Sequence, residues 1–517
     1  MMAAGLHHVT LVTGHAQANV DFYAGFLGLR LVKRTGGFED ATQLHLFYGD
    51  AAGSPGSLVT FLVWEDGAPG RVGLGQFAEL ALAIPSASIG FWLTRAMSHG
   101  VKVAGPSRLF GQPVLRLTDP DGATIRLTGA DDLAAAAPLE DGPVPAEHAI
   151  RRLAGATLLT DQLRMSEVFF ADHLAYRETA REDGLVRLVS PAGDSLDLRD
   201  ASGFWPGAGG PGTIDHLAFR TADTTGLQAA LRRLEDEGRD VSPIKDRRYF
   251  TSLYWREPGG ALCERATDGP GMTVDETPAR LGEGLFVPPG TGEVVKLQLP
   301  DIARPGEPRE RPADLAFVHR LKRMDGGDGS TIVLLHGTGG NETDLMPLAH
   351  AAAPHANLLG FRGRSTEAGS LRWFRRFDSG AFDTADIARE AEAFAATLQE
   401  ALAFYGLDPE RTMLLGYSNG ANFAAAAMML QPGLIRNAVL MRPVQVLDDP
   451  PAVDLAGVRV LALTGSSDPY LAEAAGLIRQ LRERGVAVDL HELAAGHASG
   501  DADIAAIRSW HAASLGV

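Results

Sequence analysis

The chain has 517 residues, room for three or four compact units at ~150 residues each, and its 45% hydrophobic and 21% charged content is that of a globular protein. A formal net charge of -17 excludes a broadly basic surface, so neither nucleic acid nor anionic membrane is an expected partner. One cysteine, Cys263, excludes an intrachain disulfide; no apolar run approaches the ~18 residues that span a bilayer, and the first residues lack a basic stretch leading into an apolar one, so the expected location is the cytoplasm.

From residue 5 to about 270 one pattern recurs four times: a short apolar strand, a helix, then three strands divided by turns. The opening strands are expected at Leu6 to Thr13, Phe77 to Ile84, Leu153 to Thr160 and Thr213 to Arg220, with helices such as Ala18 to Leu27 and Thr224 to Glu237. Each unit is too small to bury its sheet face alone, so units must pair and curl around a shared cavity. Asp119-Pro120-Asp121-Gly122-Ala123 and Glu257-Pro258-Gly259-Gly260-Ala261 both read as hairpin turns into a last strand. That echo fixes a register in which Arg126 corresponds to Glu264, and in which His8, Glu79, Gly155 and His216 share one repeated position.

In this register His8, His216 and Glu264 form one ligand set, while the counterpart set is Glu79, Arg126 and Gly155. An arginine without any imidazole makes a poor divalent-cation site, so one metal per chain is expected. Two neutral imidazoles and a carboxylate leave coordination positions open, an arrangement associated with non-haem Fe(II) and oxygen. A lone strand histidine is more often a hydrogen-bonded core residue; it is the shared register that makes ligands of these three. Cys263 alternates with Glu264 and is expected to face away as a small core residue.

Leu6-His7-His8-Val9-Thr10, Asp21-Phe22-Tyr23 through Gly28-Leu29-Arg30-Leu31-Val32-Lys33-Arg34-Thr35, and Glu264-Arg265-Ala266-Thr267-Asp268-Gly269-Pro270-Gly271 resemble the hydroquinone-type ring-cleaving dioxygenases of the vicinal oxygen chelate superfamily. The resemblance covers about residues 5 to 290. It implies Fe(II), or Mn(II) in its place, on His8, His216 and Glu264, and oxidative opening of a hydroquinone with O2. It also implies a substrate pocket lined by His7, Thr10, Arg247 and Tyr254. Relatives commonly carry a second histidine just before the fourth-unit ligand, where this chain has Asp215. Simple strand alternation turns Asp215 away from the metal; a bulge would bring it back.

Beyond Pro288-Pro289-Gly290 and Arg304-Pro305-Gly306-Glu307-Pro308, a second architecture is expected. Thr331 to Leu335, Thr412 to Leu415, Ala438 to Met441 and Val460 to Leu463 are continuous apolar runs alternating with helical stretches, the pattern of a parallel doubly wound sheet. Gly416-Tyr417-Ser418-Asn419-Gly420 sits between a strand and an alanine-rich helix, the nucleophile elbow of an α/β hydrolase. Asp468 and His497 follow later strands in the order that fold uses, giving Ser418 as nucleophile, His497 as base and Asp468 as its orienting partner. His336-Gly337-Thr338-Gly339-Gly340 offers a Thr338 backbone N–H to pair with that of Asn419 as oxyanion hole, His336 supporting that loop through hydrogen bonds. His491 reads as an ordinary strand residue, and Trp373-Phe374-Arg375-Arg376-Phe377 as either a pocket wall or a helical segment running from surface to core. Residues 314 to 517 resemble the small phospholipase/carboxylesterase family, which implies small soluble esters as substrates.

The expected fold is therefore an α+β repeat domain of four βαβββ units followed by an α/β hydrolase domain. Its expected boundaries are 1–131 for units one and two, 150–271 for units three and four, 272–313 for tail and linker, and 314–517 for the hydrolase. The expected function is bifunctional, an Fe(II)-dependent ring-cleaving dioxygenase acting on hydroquinone-like aromatics joined to a serine carboxylesterase. Two rivals for the first half are a metal-dependent lyase or isomerase on the same ligands, and a non-catalytic aromatic-binding module.

Overall fold

A computed structural model describes residues 5–131, 139, 142–377 and 381–515. The chain divides into two compact units, Met1–Arg309 and Glu310–Val517. Among the described residues no helix is long and apolar enough to cross a membrane.

The first unit carries strands β1 (Leu6–Thr13), β2 (Arg30–Gly36), β3 (Leu44–Gly49), β4 (Leu58–Val63), β5 (Gln76–Pro85), β6 (Val103–Leu109), β7 (Gln112–Thr118), β8 (Thr124–Ala130) and β9 (Arg152–Thr160). They continue as β10 (Arg177–Glu182), β11 (Leu185–Val189), β12 (Ser195–Asp200), β13 (Ile214–Thr221), β14 (Lys245–Asp246), β15 (Phe250–Arg256), β16 (Leu262–Pro270) and β17 (Leu285–Phe286). The first sheet has the order β14-β15-β16-β13-β1-β4-β3-β2-β17 and the second β10-β11-β12-β9-β5-β8-β7-β6. Each sheet is joined at its centre by an antiparallel pair, β1 with β13 and β5 with β9. The early strands of the chain thus lie beside the late ones, which carries His8 to the strands of His216 and Glu264. The hairpin turns appear as expected, Asp119 N–H bonding the Ala123 carbonyl and Glu257 N–H that of Ala261.

Both central pairs are bulged, and at matching places. Leu6 and His8 oppose Phe219 and Ala218, leaving His7 as an extra residue, while His216 and Ile214 oppose Thr10 and Leu11, leaving Asp215. In the second sheet the extra residues are Ala78 and Ala154. Each lies immediately before His8, His216, Glu79 or Gly155. The bulge overturns the simple alternation that would have turned Asp215 outward, because a bulge adds a residue and re-aims its neighbours.

Helix α1 (Ala16–Val20) gives way to a π turn over Asp21–Phe26, where a regular helix was expected; the wider turn carries Phe22, Tyr23, Ala24 and Phe26 all into the core. Helices α2 (Ile89–Ser98), α3 (Leu163–Leu174) and α4 (Thr224–Asp236) complete the unit. The stretch expected as tail and linker is divided between the units. Its β17 extends the first sheet alongside β2, and buried Lys33 of β2 meets Asp275 and Glu276, each at 2.5 Å. Cys263, fully buried, lies in the hydrophobic core of this unit.

The second unit carries β18 (His319–Lys322), β19 (Thr331–Leu335), β20 (Asn357–Phe361), the small hairpin β21 (Ser365–Glu367) and β22 (Ser370–Arg372), then β23 (Thr412–Tyr417), β24 (Asn437–Met441), β25 (Arg459–Gly465) and β26 (Ala487–Leu493). Its main sheet runs β18-β20-β19-β23-β24-β25-β26, parallel except for the edge strand β18. With it pack α5 (Met346–Ala352), α6 (Thr384–Tyr405), α7 (Asn419–Leu430), α8 (Leu471–Glu483) and α9 (Asp501–Leu515). Residues Asn419 to Met429 of α7 are all buried, which explains its alanines: small side chains let the helix approach sheet and neighbours closely. Trp373 and Phe374 are fully buried and Trp373 stacks on Phe423 at 5.0 Å, while Phe377 is exposed. That segment runs from core to surface without forming a helix, its Arg376 bridging to Phe382 instead.

Candidate active sites

In the first sheet β1, β13 and β16 lie side by side and present His8, His216 and Glu264 to one point, with their donor atoms all within 4.8 Å. Glu264 Oε2 is 3.0 Å from His8 Nε2 and 2.8 Å from His216 Nε2, and the two nitrogens are 3.4 Å apart. These are about the separations of neighbouring corners around a cation bonded at ~2.1 Å. Both Glu264 oxygens are buried; Oε1 has no hydrogen-bond partner and Oε2 faces the two imidazole nitrogens. A buried carboxylate normally demands one, so the donor set fits a divalent ion. Burial alone would raise the Glu264 carboxyl; the imidazoles of His8 and His216 hold it well below the usual carboxylate range.

The bulge residues act on the two imidazoles. Asp215 Oδ2 lies 2.6 Å from His216 Nδ1, and His7 Nδ1 lies 2.9 Å from His8 Nδ1. The Asp215 contact holds the Nδ1 hydrogen and leaves Nε2 to face Glu264. Burial opposes charging His216, but Asp215 and Glu264 outweigh it and bring its pKa up to about 9. Burial lowers His8, and it brings His7 down to about 3 with help from His8.

Of the expected pocket residues, Thr10 bonds His216 Nε2 at 2.9 Å and His7 Nε2 bonds the Thr267 carbonyl at 3.1 Å. Tyr254 pairs directly with Glu264 across β15 and β16, its ring edge-on to His216 at 5.5 Å. Arg247 stands over the Tyr254 ring at 5.4 Å and pairs with Glu39 at 3.0 Å. Burial and the Glu264 charge push the Tyr254 phenol up, so it stays protonated.

In the second unit Ser418 sits between β23 and α7 with φ +50°, a left-handed backbone that a non-glycine residue keeps only under constraint. The constraint is close packing: a Cβ on Gly420 would lie 2.0 Å from the Leu335 carbonyl oxygen, and one on Gly416 would lie 2.7 Å from the backbone of α7. His497 Nε2 is 3.0 Å from Ser418 Oγ and His497 Nδ1 is 2.9 Å from Asp468 Oδ2. Hydroxyl, imidazole and carboxylate are in line for proton transfer out of the serine. Asn419 opens α7, where backbone N–H groups lack helical acceptors. Thr338 is exposed on the turn after β19, the strand beside β23. His336 Nδ1 lies 2.6 Å from the Gly337 carbonyl and its Nε2 accepts from Gly363 N–H at 2.9 Å, which braces that turn. The side chain of His491, on the edge strand β26, bonds Asp489 of its own strand at 3.1 Å.

Residues 5–127 match the Glyoxalase/Bleomycin resistance protein/Dioxygenase superfamily. MhqO of Bacillus subtilis, provisionally assigned as a ring-cleaving dioxygenase, is 35% identical over 286 residues, spanning 55% of this chain and 91% of that protein. The first half of the chain belongs to the ring-cleaving dioxygenase family. A chlorohydroquinone/hydroquinone 1,2-dioxygenase of Sphingobium indicum is 33% identical to it, over 55% of this chain and 91% of that protein. MhqD of B. subtilis, provisionally assigned as a hydrolase, is 32% identical over 188 residues, 36% of this chain and 94% of its own length.

Around the dioxygenase-family site the structure adds residues that the sequence reading missed. His45 of β3 bonds Thr60 of β4, and Phe250 of β15 packs against the rings of both His7 and His8. Alternation along β3, which puts His45 and Phe47 on one face, was the available signal. In the second sheet Asp197, also missed, meets Arg126.

Proposed function

We propose that the chain is a two-part enzyme: a metal-dependent ring-cleaving dioxygenase acting on hydroquinone-like aromatics, joined to a serine carboxylesterase. The first part is taken to be four βαβββ units of the vicinal oxygen chelate type, the second an α/β hydrolase. The observation that carries the first reading is the buried Glu264 carboxylate, its Oε1 unpartnered and its Oε2 facing two histidine nitrogens.

His8, His216 and Glu264 are the ligands for Fe(II), or Mn(II) in its place. When bound, the ion would supply the Lewis-acid and redox chemistry that couples a substrate hydroxyl to O2. The chain does the rest. Asp215 keeps the His216 ring in the tautomer that presents Nε2, and Arg247 brings positive charge toward an ionised phenol. Tyr254, a neutral phenol beside Glu264, offers a hydrogen bond to oxygen rather than a negative charge.

In the second part Ser418 Oγ attacks an ester carbonyl while His497 takes its proton and Asp468 steadies the imidazolium. The backbone N–H groups of Asn419 and Thr338 are assigned to the developing oxyanion. His497 returns the proton to the departing alcohol, and water then releases the acid by the same steps.

A crossed pair of variants tests both halves. Ser418→Ala should abolish hydrolysis of p-nitrophenyl acetate while leaving iron content and hydroquinone-dependent oxygen uptake intact; Glu264→Ala should do the reverse. Retained esterase activity in the first variant would overturn Ser418 as nucleophile. An iron-loaded protein that consumes no oxygen with any hydroquinone or catechol would overturn the dioxygenase.

A further inference from the structure

A row of polar side chains leads away from the metal-ligand cluster across the first sheet. Thr10 Oγ1 is 2.9 Å from His216 Nε2 and 2.8 Å from Thr60 Oγ1, and Thr60 Oγ1 is 3.1 Å from His45 Nε2. With His216 Nε2 serving as a ligand and the Nδ1 hydrogen held by Asp215, the Thr10 hydroxyl would have no acceptor on that ring. Its proton turns to Thr60, and that of Thr60 to His45 Nε2. This order makes His45 the tautomer with its hydrogen on Nδ1.

The rest of the setting keeps that hydrogen available. The His45 ring is half-buried and tilted against Phe47 at 4.1 Å, and Nδ1 has no partner among the described residues. Burial, then the nearby His8 and His216, lower its pKa to about 3, so the ring is a neutral donor. Across β2 its register partner is Thr35, fully buried, whose hydroxyl has no partner either. On the opposite flank, beside Glu264, stand Arg247 and Tyr254. The site therefore has a charged flank at the ligands and a neutral hydrogen-bonding flank two strands away, roughly 10 Å at ~4.8 Å per strand.

We propose that His45 binds the distal hydroxyl of a para-dihydroxybenzene whose other hydroxyl lies at the His8, His216 and Glu264 site. Catechol carries both oxygens at one end of its ring and a monophenol carries only one, so neither reaches both flanks. The inference rests on the dioxygenase reading and adds to it the residue that selects the para pattern.

The test is binding to the iron-loaded protein without oxygen, by calorimetry, with hydroquinone and 4-methylphenol as probes. The unaltered protein should prefer hydroquinone on the order of 3- to 10-fold, the worth of one neutral hydrogen bond. His45→Phe should abolish that preference while leaving iron content and 4-methylphenol affinity unchanged. His45→Gln, which keeps an N–H donor, should retain part of it and guards against a folding defect in the first variant. A preference that survives in His45→Phe, or equal weakening of both ligands in both variants, overturns the assignment of His45 while oxygen-dependent ring opening still stands. Failure of the unaltered protein both to bind hydroquinone and to consume oxygen with it overturns the dioxygenase reading, and His45 with it.

Discussion

The two sheets of the first unit meet the same electrostatic problem in different ways. In the first, Glu264 is buried with Oε2 between two imidazoles and Oε1 unpartnered. In the second, at the matching register, Arg126 reaches Glu79 at 2.7 Å and Asp197 at 2.9 Å, and Arg116 and Arg187 flank those carboxylates. The neighbouring strands align Ala218 with Glu264 and Ala81 with Arg126, so the correspondence is one of backbone position. A buried carboxylate needs a cation, and the second sheet supplies one on a tether. A tethered guanidinium cannot exchange or take on further ligands, so that sheet is a brace. The first sheet sets only imidazoles beside its carboxylate, a charge that His216 can give up, so in the proposed function an ion from outside would take its place.

Removing the tethered cation should do the greater damage. Arg126→Met leaves Glu79 and Asp197 buried without their shared partner, and the urea midpoint should fall by an amount equivalent to ~3–5 kcal/mol. Iron content should stay near one per chain. A variant with unchanged stability would show that the second cluster is not the brace described here.

A smaller effect is expected from Asp215→Ala, which removes the acceptor of the His216 Nδ1 hydrogen. Iron affinity, read from competition with a chelator, should weaken ~10- to 100-fold with little change in unfolding. Unchanged affinity would mean that the bulge positions Asp215 for something other than holding the ring.

The smallest effect separates the two cations by pH. Without metal, His216 holds its proton up to about 9, so an ion that binds Nε2 must displace it. Iron affinity should therefore rise with pH by up to ~10-fold per unit below that value, with about one proton released per ion, since a single-proton linkage has that slope. Proton release near zero at neutral pH would show that His216 is already deprotonated in the metal-free protein.

Much of this was legible from sequence. The two hairpin turns, five positions each, were enough to align Glu264 with Arg126, because a tight turn pins strand register. Likewise the elbow glycines, with Asp468 and His497 in order, anticipated the contacts around Ser418. What escaped depended on neighbours remote in the chain. Asp197 meets Arg126 only because β12 and β8 come to opposite sides of the central pair, and His45 joins the site only through Thr60 and Thr10. The bulges escaped as well, since one extra residue in a strand buried on both faces leaves no mark on the apolar pattern. Trp373 to Phe377 was open for a related reason: apolar content told of burial but not of backbone shape.

Cys263 adjoins Glu264 on β16, sealed in the core with its thiol pushed well above the usual range by burial. A thiol reagent therefore gains access only when that strand peels from the sheet, and the same event carries Glu264, the proposed ligand, away. Labelling kinetics of this lone thiol become a clock for local opening, and any ion held by Glu264 must slow it in proportion to its occupancy.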